Sequence, residues 1–413
     1  MTDLLISWID SANSDATDFP LNNLPYGVFL AEDGSGHCGV AIGAHILDLH
    51  AVEAAGQIDF SGTLCQGDWS PFMARGTSEW ARLRSWLQST LAKGASEQPL
   101  LEPHLVSLGQ AQMLMPFRVS EYTDFYASRH HATNVGMILR GADGSLPANW
   151  LHIPIGYNGR ASSVVVSGTD VRRPSGQLKA MDETAPRLGA SQRFDFELEL
   201  GAVVGQASQG PINVGQAFEN IFGYVLLNDW SARDIQAWEY LPLGPFQSKA
   251  TATTISPWIV TTAALEPFRT NTPERDVPLL DYLTELGPML FDIDLNVAIK
   301  PENGPETTIS RTNYASMYYS AAQQLAHHTS SGCPMRVGDL LGSGTISGPE
   351  KTARGCMLEI TWGGQQPVEL SSGAMRTFLE DGDTVILRGG SVAKDYRVGF
   401  GACVGKVVPN GTM

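Results

Sequence analysis

From Glu121 onward the chain is a succession of short strand-like runs broken by glycine and proline. WLHIPIGY, SSVVVSG, FDFELELGAVVG, FGYVLL, FDIDLNVAIK, CMLEITW, DTVILRGG and RVGFGACVGKVV follow one another without regular alternation of strand and helix. Helical periodicity is confined to a few places, chiefly Asn313 to His328, where Met317, Ala321 and Leu325 form an apolar stripe ending at Gly332. The pattern predicts a large β-rich α+β domain.

The preceding residues have another character. Between Tyr26 and Leu49, YGVFL and VAIGAHILDL alternate with Gly and Asp turns and predict small antiparallel strands. Trp80, Leu83, Leu87 and Leu91 recur at helical spacing, with Thr77 or Ser78 as N-cap and Gly94 as the stop. A chain of 413 residues suffices for two domains. The change near Pro116 places the division between residues 1–118 and 119–413.

A formal net charge of −16 argues against a nucleic-acid partner, since phosphate backbones are bound by clustered Lys and Arg and no such cluster occurs. Five scattered cysteines without a C-x-x-C pair read as buried thiols of a reducing compartment. No basic leader and no apolar run of about eighteen residues is present, so a soluble cytoplasmic protein without a membrane partner is expected. Gly399, Gly401 and Gly405 nearly spell a dinucleotide fingerprint, but too little chain follows to build a βαβ unit. They read as bulges or close backbone contacts, and Gly342-Ser-Gly344-Thr345 lacks a Walker lysine. No nucleotide cofactor is expected.

Three stretches concentrate polar chemistry. In LLNDWSARDIQAWEYLPLGPFQSK, a helix over Trp230–Tyr240 would set Asp229, Arg233, Gln236 and Tyr240 on one stripe, with Lys249 nearby. The plainer alternative is a solvated face behind a Trp230/Trp238 core. In RFDFELEL, a strand puts Asp195, Glu197 and Glu199 on one face, roughly 7 Å between neighbours. That face is either a solvated acidic edge or part of a hard-cation site completed by Asp124 and Asp229. In DFYASRHHATN, a His beside Asp, Tyr and Arg is either a general base or a brace for a loop. Glu359, alone among the apolar residues of CMLEITW, is a carboxylate that could orient it. His37, His45 and His50 have no ligand spacing and read as structural.

DFYASRHHATNVG, NWLHIPIGYNGRASSVVVSGT, RFDFELELG, LLNDWSARDIQAWEYLPLGPFQSK, TTISPW, GDLLGSGTISG and DGDTVILRG together closely resemble the fumarylacetoacetase family. The likeness spans nearly the whole chain and is thinner over the first 115 residues. It implies a small N-terminal SH3-like β-barrel, a large C-terminal mixed β-sheet roll and a homodimer. It implies a calcium or magnesium site on Asp124, Glu197, Glu199 and Asp229, and a second magnesium near Asp229, Lys249 and Thr253. His131 corresponds to the general base and Glu359 to its orienting acid. His130 falls where relatives often carry Gln. Substrate and oxyanion contacts correspond to Tyr126, Arg140, Tyr157, Arg233, Gln236, Tyr240, Lys249 and Thr345. The implied reaction is hydrolysis of the C–C bond of a β-diketo diacid, 4-fumarylacetoacetate. Alternatives are an acylpyruvate hydrolase, a decarboxylase or isomerase of dienoic diacids, or a binding protein braced by a metal.

Overall fold

The computed structural model describes residues 3–141, 145–180 and 182–411. Its first sheet is antiparallel, built from β1 (Tyr26–Leu30), β2 (Gly36–Ile42), β3 (His45–Asp48), β4 (Leu105–Ser107) and β5 (Met113–Leu114) in the order β4-β3-β2-β1-β5. The strands therefore fall on the runs that alternate with Gly and Asp. The helix α1 (Thr77–Thr90) buries Leu83 and Leu87 in a core shared with Tyr26, Val28 and Val40 of this sheet. The residue at its N-cap is Gly76, with φ 90°, rather than Thr77 or Ser78. Gly94, with φ 85°, turns the chain just beyond Leu91.

A second, mixed sheet carries the candidate residues Asp124, Glu199 and Asp229. Its strands are β6 (Tyr122–Phe125), β7 (Gly156–Asn158), β8 (Val164–Val166), β9 (Leu198–Val204), β10 (Ile221–Asp229), β11 (Thr253–Ile255) and β12 (Leu340–Gly342), ordered β7-β6-β12-β9-β10-β11-β8. An eighth strand, Val260–Thr261, pairs with β10. Every position of β10 is buried because both faces of the sheet are covered. Val225 and Leu227 pack with Tyr26, Trp69 and Phe72 of the N-terminal unit, whereas Tyr224 and Leu226 face a second core with Leu295, Val297, Leu387 and Val398. Those last residues belong to a further five-stranded sheet that includes Asp294–Lys300, Thr384–Val392 and Arg397–Val408. The result is a strand-rich α+β fold. A Cβ at Gly405 would lie 2.5 Å from the Trp230 ring, and one at Gly399 would lie 2.2 Å from Asp18, so these glycines do mark close approaches.

Four more helices matter below: α2 (Arg129–Arg140), α3 (Arg233–Glu239), α4 (Ala321–Thr329) and α5 (Met357–Ile360). Several sequence expectations change here. The helix foreseen over Asn313–His328 begins only at Ala321, because Ser320 and Gln323 form a reciprocal capping box and the residues up to Asn313 are drawn into a strand. CMLEITW is apolar enough for a strand yet contains α5, and WLHIPIGY contributes only its last two residues, Gly156 and Tyr157, to β7. The helix foreseen over Trp230–Tyr240 starts at Arg233, after Ser231–Ala232 has paired with Phe194–Asp195. Cys38, Cys356 and Cys403 are buried free thiols, but Cys65 and Cys333 are partly exposed. His37 pairs with Asp48 at 2.8 Å and stacks on His50, within the N-terminal unit.

Candidate active site

Strand register gathers the acidic residues. On the sheet face that receives the N-terminal unit, Tyr122, Val203, Val225, Leu227 and Leu340 are apolar core. Side chains alternate along a strand, so Asp124 shares a face with Tyr122, Glu199 with Val203, and Asp229 with Leu227. The apolar end of that face thus gives way to a carboxylate end. Gly342 is paired with Asp124 in register, and a Cβ there would stand 2.9 Å from both Asp124 Oδ1 and Glu199 Oε2. Glycine at this position leaves open the space on which the carboxylates converge.

Asp124, Glu197, Glu199 and Asp229 offer oxygens that all lie within 4.8 Å of one another, and all four are buried. Two cations answer part of this charge. Lys249 Nζ lies 2.5 Å from Glu197 Oε2 and 2.7 Å from Asp229 Oδ2, while Arg233 Nη1 lies 2.7 Å from Glu197 Oε1. Burial works to raise the Glu197 pKa, but Lys249 and Arg233 outweigh it and hold this carboxyl well below its ordinary value. Asp124 and Glu199 are treated differently: burial first, then neighbouring carboxylates, pushes both well above the ordinary range. Asp124 Oδ1 and Glu199 Oε1 are buried without a hydrogen-bond partner. Burying ionised groups costs several kcal/mol each unless they are paired. Glu199 Oε2 accepts from the Gly344 amide at 2.9 Å, and an all-oxygen cage with two carboxylate oxygens left unpartnered fits a hard divalent cation.

The third carboxylate of RFDFELEL does not join the cage. The strand is interrupted between Phe194–Asp195 and Leu198–Val204, and Asp195 accepts instead from Arg233 Nε and from backbone amides. The foreseen 229/233/236/240 stripe likewise divides. Asp229 ends β10, Arg233 opens α3 and donates to Gln236 at 3.3 Å, and Tyr240 caps the exposed end of α3.

A second group assembles on α2 and α5. Ser128 caps α2 through the His131 amide, and His131 Nδ1 lies 2.6 Å from Glu359 Oε2. Glu359 is fully buried, which alone would raise its pKa, yet the charge and hydrogen bond of His131 bring it down to about 2. It is therefore the acceptor, and in the neutral ring Nδ1 carries the proton and Nε2 the lone pair. Because the folded pKa of Glu359 lies below its ordinary value of 4.5, this carboxylate stabilises the fold above that pH and its contribution is lost as the pH falls to about 2. The Tyr126 ring meets His131 edge-on at 5.3 Å.

Other expected contacts lie around these groups. Tyr157 donates to Asp229 Oδ2 at 3.3 Å, Thr253 Oγ1 lies 3.5 Å from Asp229 Oδ1, and Thr345 Oγ1 is buried without a partner. Arg140 ends α2, donates to the Ser145 carbonyl at 3.0 Å, and its charge reaches the Tyr126 hydroxyl. His130 is half-buried, and burial followed by Arg129 lowers its pKa.

Residues 121–408 match the family described as Fumarylacetoacetate (FAA) hydrolase C-terminal, and residues 22–116 match Fumarylacetoacetase N-terminal. The chain belongs to the fumarylacetoacetate hydrolase family. Fumarylacetoacetase of Arabidopsis thaliana is 47% identical over 423 residues, covering 98% of this chain and 99% of that protein. The protein of that name from Homo sapiens is 46% identical over 412 residues, covering 96% and 97%. Among solved structures, a fumarylacetoacetate hydrolase from Exiguobacterium antarcticum superposes with a TM-score of 0.54 at 15% identity, over 94% of this chain and all of that one. That likeness speaks to the fold alone.

The sequence pattern missed the residues that surround Glu359. Its Oε2 also accepts from Ser347 Oγ at 2.8 Å and Cys356 Sγ at 3.2 Å, and its Oε1 accepts from Asn134 Nδ2 at 2.9 Å. Asn134 was findable, since it follows His131 by one helical step of three. Ser347 and Cys356 carry no such signal. Burial, then Glu359, pushes the Cys356 thiol well up, so it serves as a hydrogen-bond donor.

Proposed function

We propose that this protein is a metal-dependent hydrolase that cleaves 4-fumarylacetoacetate with water to fumarate and acetoacetate, the last step of tyrosine and phenylalanine degradation. The observation that carries the reading is the buried His131–Glu359 pair beside a carboxylate cage in which Asp124 Oδ1 and Glu199 Oε1 have no hydrogen-bond partner. Nearly full-length relatives that are fumarylacetoacetases support the substrate. The match of residues 22–116 favours this reaction over acylpyruvate hydrolysis or a diacid decarboxylation or isomerisation.

His131 Nε2 takes a proton from water, and the water oxygen bonds to the carbonyl carbon beside the scissile bond. Glu359 stabilises the imidazolium that results. Arg233, Gln236 and Lys249 hold the developing oxyanion through N–H donors, which are strong where water is excluded. When the C–C bond breaks, its electron pair leaves on the acetoacetate fragment as an enolate, and Lys249 is placed to return a proton. Tyr126, Arg140, Tyr157, Tyr240 and Thr345 hold the diacid ends. Asp124, Glu197, Glu199 and Asp229 would hold a Ca²⁺ or Mg²⁺, which would supply Lewis-acid charge at the site. A second Mg²⁺ near Asp229, Lys249 and Thr253 belongs to the same reading.

The remaining parts of the proposal concern organisation. The five antiparallel strands within residues 1–118 are read as an SH3-like barrel, and the mixed sheets of 119–413 as the catalytic roll, in a cytoplasmic homodimer. No described helix is long and apolar enough to cross a membrane.

Loss of the ultraviolet absorbance of fumarylacetoacetate tests the reaction directly. Turnover is expected with Ca²⁺ or Mg²⁺ present, and its absence would remove the assignment. Glu359→Gln keeps an acceptor for Nδ1 but loses the charge that steadies the imidazolium. Its kcat is expected to fall about 10²-fold, the low end of a positioned base's contribution, in steady-state assays.

A further inference from the structure

Asp195 is fully buried and is used by neither the cage nor the base pair. Its Oδ1 accepts from the Met357 amide at 2.7 Å and the Phe196 amide at 2.8 Å. Its Oδ2 accepts from the Leu358 amide at 3.0 Å and from Arg233 Nε at 2.8 Å. The Met357 and Leu358 amides open α5, and the next residue of that helix is Glu359. One carboxylate therefore grips the backbone that aims the orienting acid and, with its other oxygen, the guanidinium of the substrate clamp.

The consequences reach atoms that matter for the reaction. Asp195 and Glu197 between them occupy Arg233 Nε and Nη1, and Arg233 Nη2 is left buried without a hydrogen-bond partner. That nitrogen is the donor free to meet a substrate oxygen. Asp195 also stands two residues from Glu197 on the same chain segment, so the cage, the clamp and α5 meet at one short peptide. Two acceptor oxygens with four donors are a requirement a carboxamide cannot meet, because its nitrogen only donates.

We infer that Asp195 is a positioning residue that fixes Glu359, and through it His131, relative to the Arg233 clamp. The inference rests on the proposed hydrolysis for its kinetic effect but not for its structural one. Asp195→Asn is expected to lower kcat about 10²-fold, as a misplacement of about 1 Å can. Calcium affinity measured by calorimetry should change less than about threefold, a small fraction of the change expected on losing a cage ligand. Arg233→Lys retains the charge and loses the Nε donor. In a double-mutant cycle, Asp195→Asn with Arg233→Lys should fall well short of the product of the two single losses.

Hydrogen exchange supplies the decisive structural arm. In Arg233→Lys the amides of Met357 and Leu358 should exchange faster than in the wild type, although residue 233 does not bond to them. Multiplicative losses in the cycle, or unchanged exchange at those amides, would overturn the proposal. This arm needs neither a folded Asp195 variant nor any substrate. Faster exchange in Arg233→Lys beside a wild type that leaves fumarylacetoacetate intact would instead count against the proposed reaction alone.

Discussion

His131→Ala should abolish turnover, with kcat reduced by at least about 10³-fold, within the range a positioned general base contributes. The expectation follows from tautomer and pairing. Glu359 accepts the Nδ1 proton at 2.6 Å, so Nε2 is the lone pair available to water, and no second described imidazole shares this carboxylate. His130, the neighbouring ring, has its pKa lowered by burial and by Arg129 and has no bond to Glu359. His130→Ala should therefore stay within about threefold of wild type, a change of well under 1 kcal/mol. His131→Ala should still bind Ca²⁺ nearly as tightly as the wild type, because none of the four cage oxygens comes from α2. Steady-state kinetics beside calcium calorimetry checks both halves. A substantially active His131→Ala would take the base role from this residue.

Much of the fold was legible because the signals were local. YGVFL, VAIGAHILDL and FGYVLL became strands, and the N-terminal helix fell on its apolar spacing, since each pattern states which side will be buried. The misreadings arose where distant atoms outbid local pattern. CMLEITW has the composition of a strand, but Asp195 takes the Met357 and Leu358 amides that a strand would have turned to a neighbour, and α5 forms instead. The 229/233/236/240 spacing looked helical, yet Asp229 belongs to β10, whose register with β11 and β9 sets its direction. RFDFELEL was read as one strand with three equivalent carboxylates. The break at Phe196–Glu197 gives Asp195 a different task, and no spacing rule announces that break. Residue type and neighbourhood do single out Glu359 and the acidic strand, because a carboxylate among apolar residues requires a partner, whereas the choice of His131 over His130, and of Glu197 and Glu199 over Asp195, rests on the family resemblance.

Removing the divalent cation should have the second large effect, and its size should depend on pH. Without a cation, burial and mutual repulsion raise the pKa values of Asp124 and Glu199 well above their ordinary positions, and that of Asp229 is also raised. The folded protein then holds more protons than the unfolded chain above the ordinary carboxylate values, so its stability falls as the pH rises toward the raised values. Glu197 moves the other way, but Lys249 and Arg233 already fix it in the charged form. A bound cation displaces those protons, so the rise in Tm produced by Ca²⁺ over chelated protein should widen from mildly acid to mildly alkaline pH. Glu199→Gln separates this account from a merely solvated acidic strand. Replacing one charged ligand by a neutral one should weaken calcium binding by at least about 10²-fold, beyond the effect of losing an outer partner. The same substitution removes a carboxyl that without a cation must either take up a proton or stay buried as an unpaired charge, so the chelated variant should melt higher than the chelated wild type. Opposite shifts in the loaded and chelated melts are the signature of a cation cage, and unchanged calcium affinity in Glu199→Gln would dismiss it.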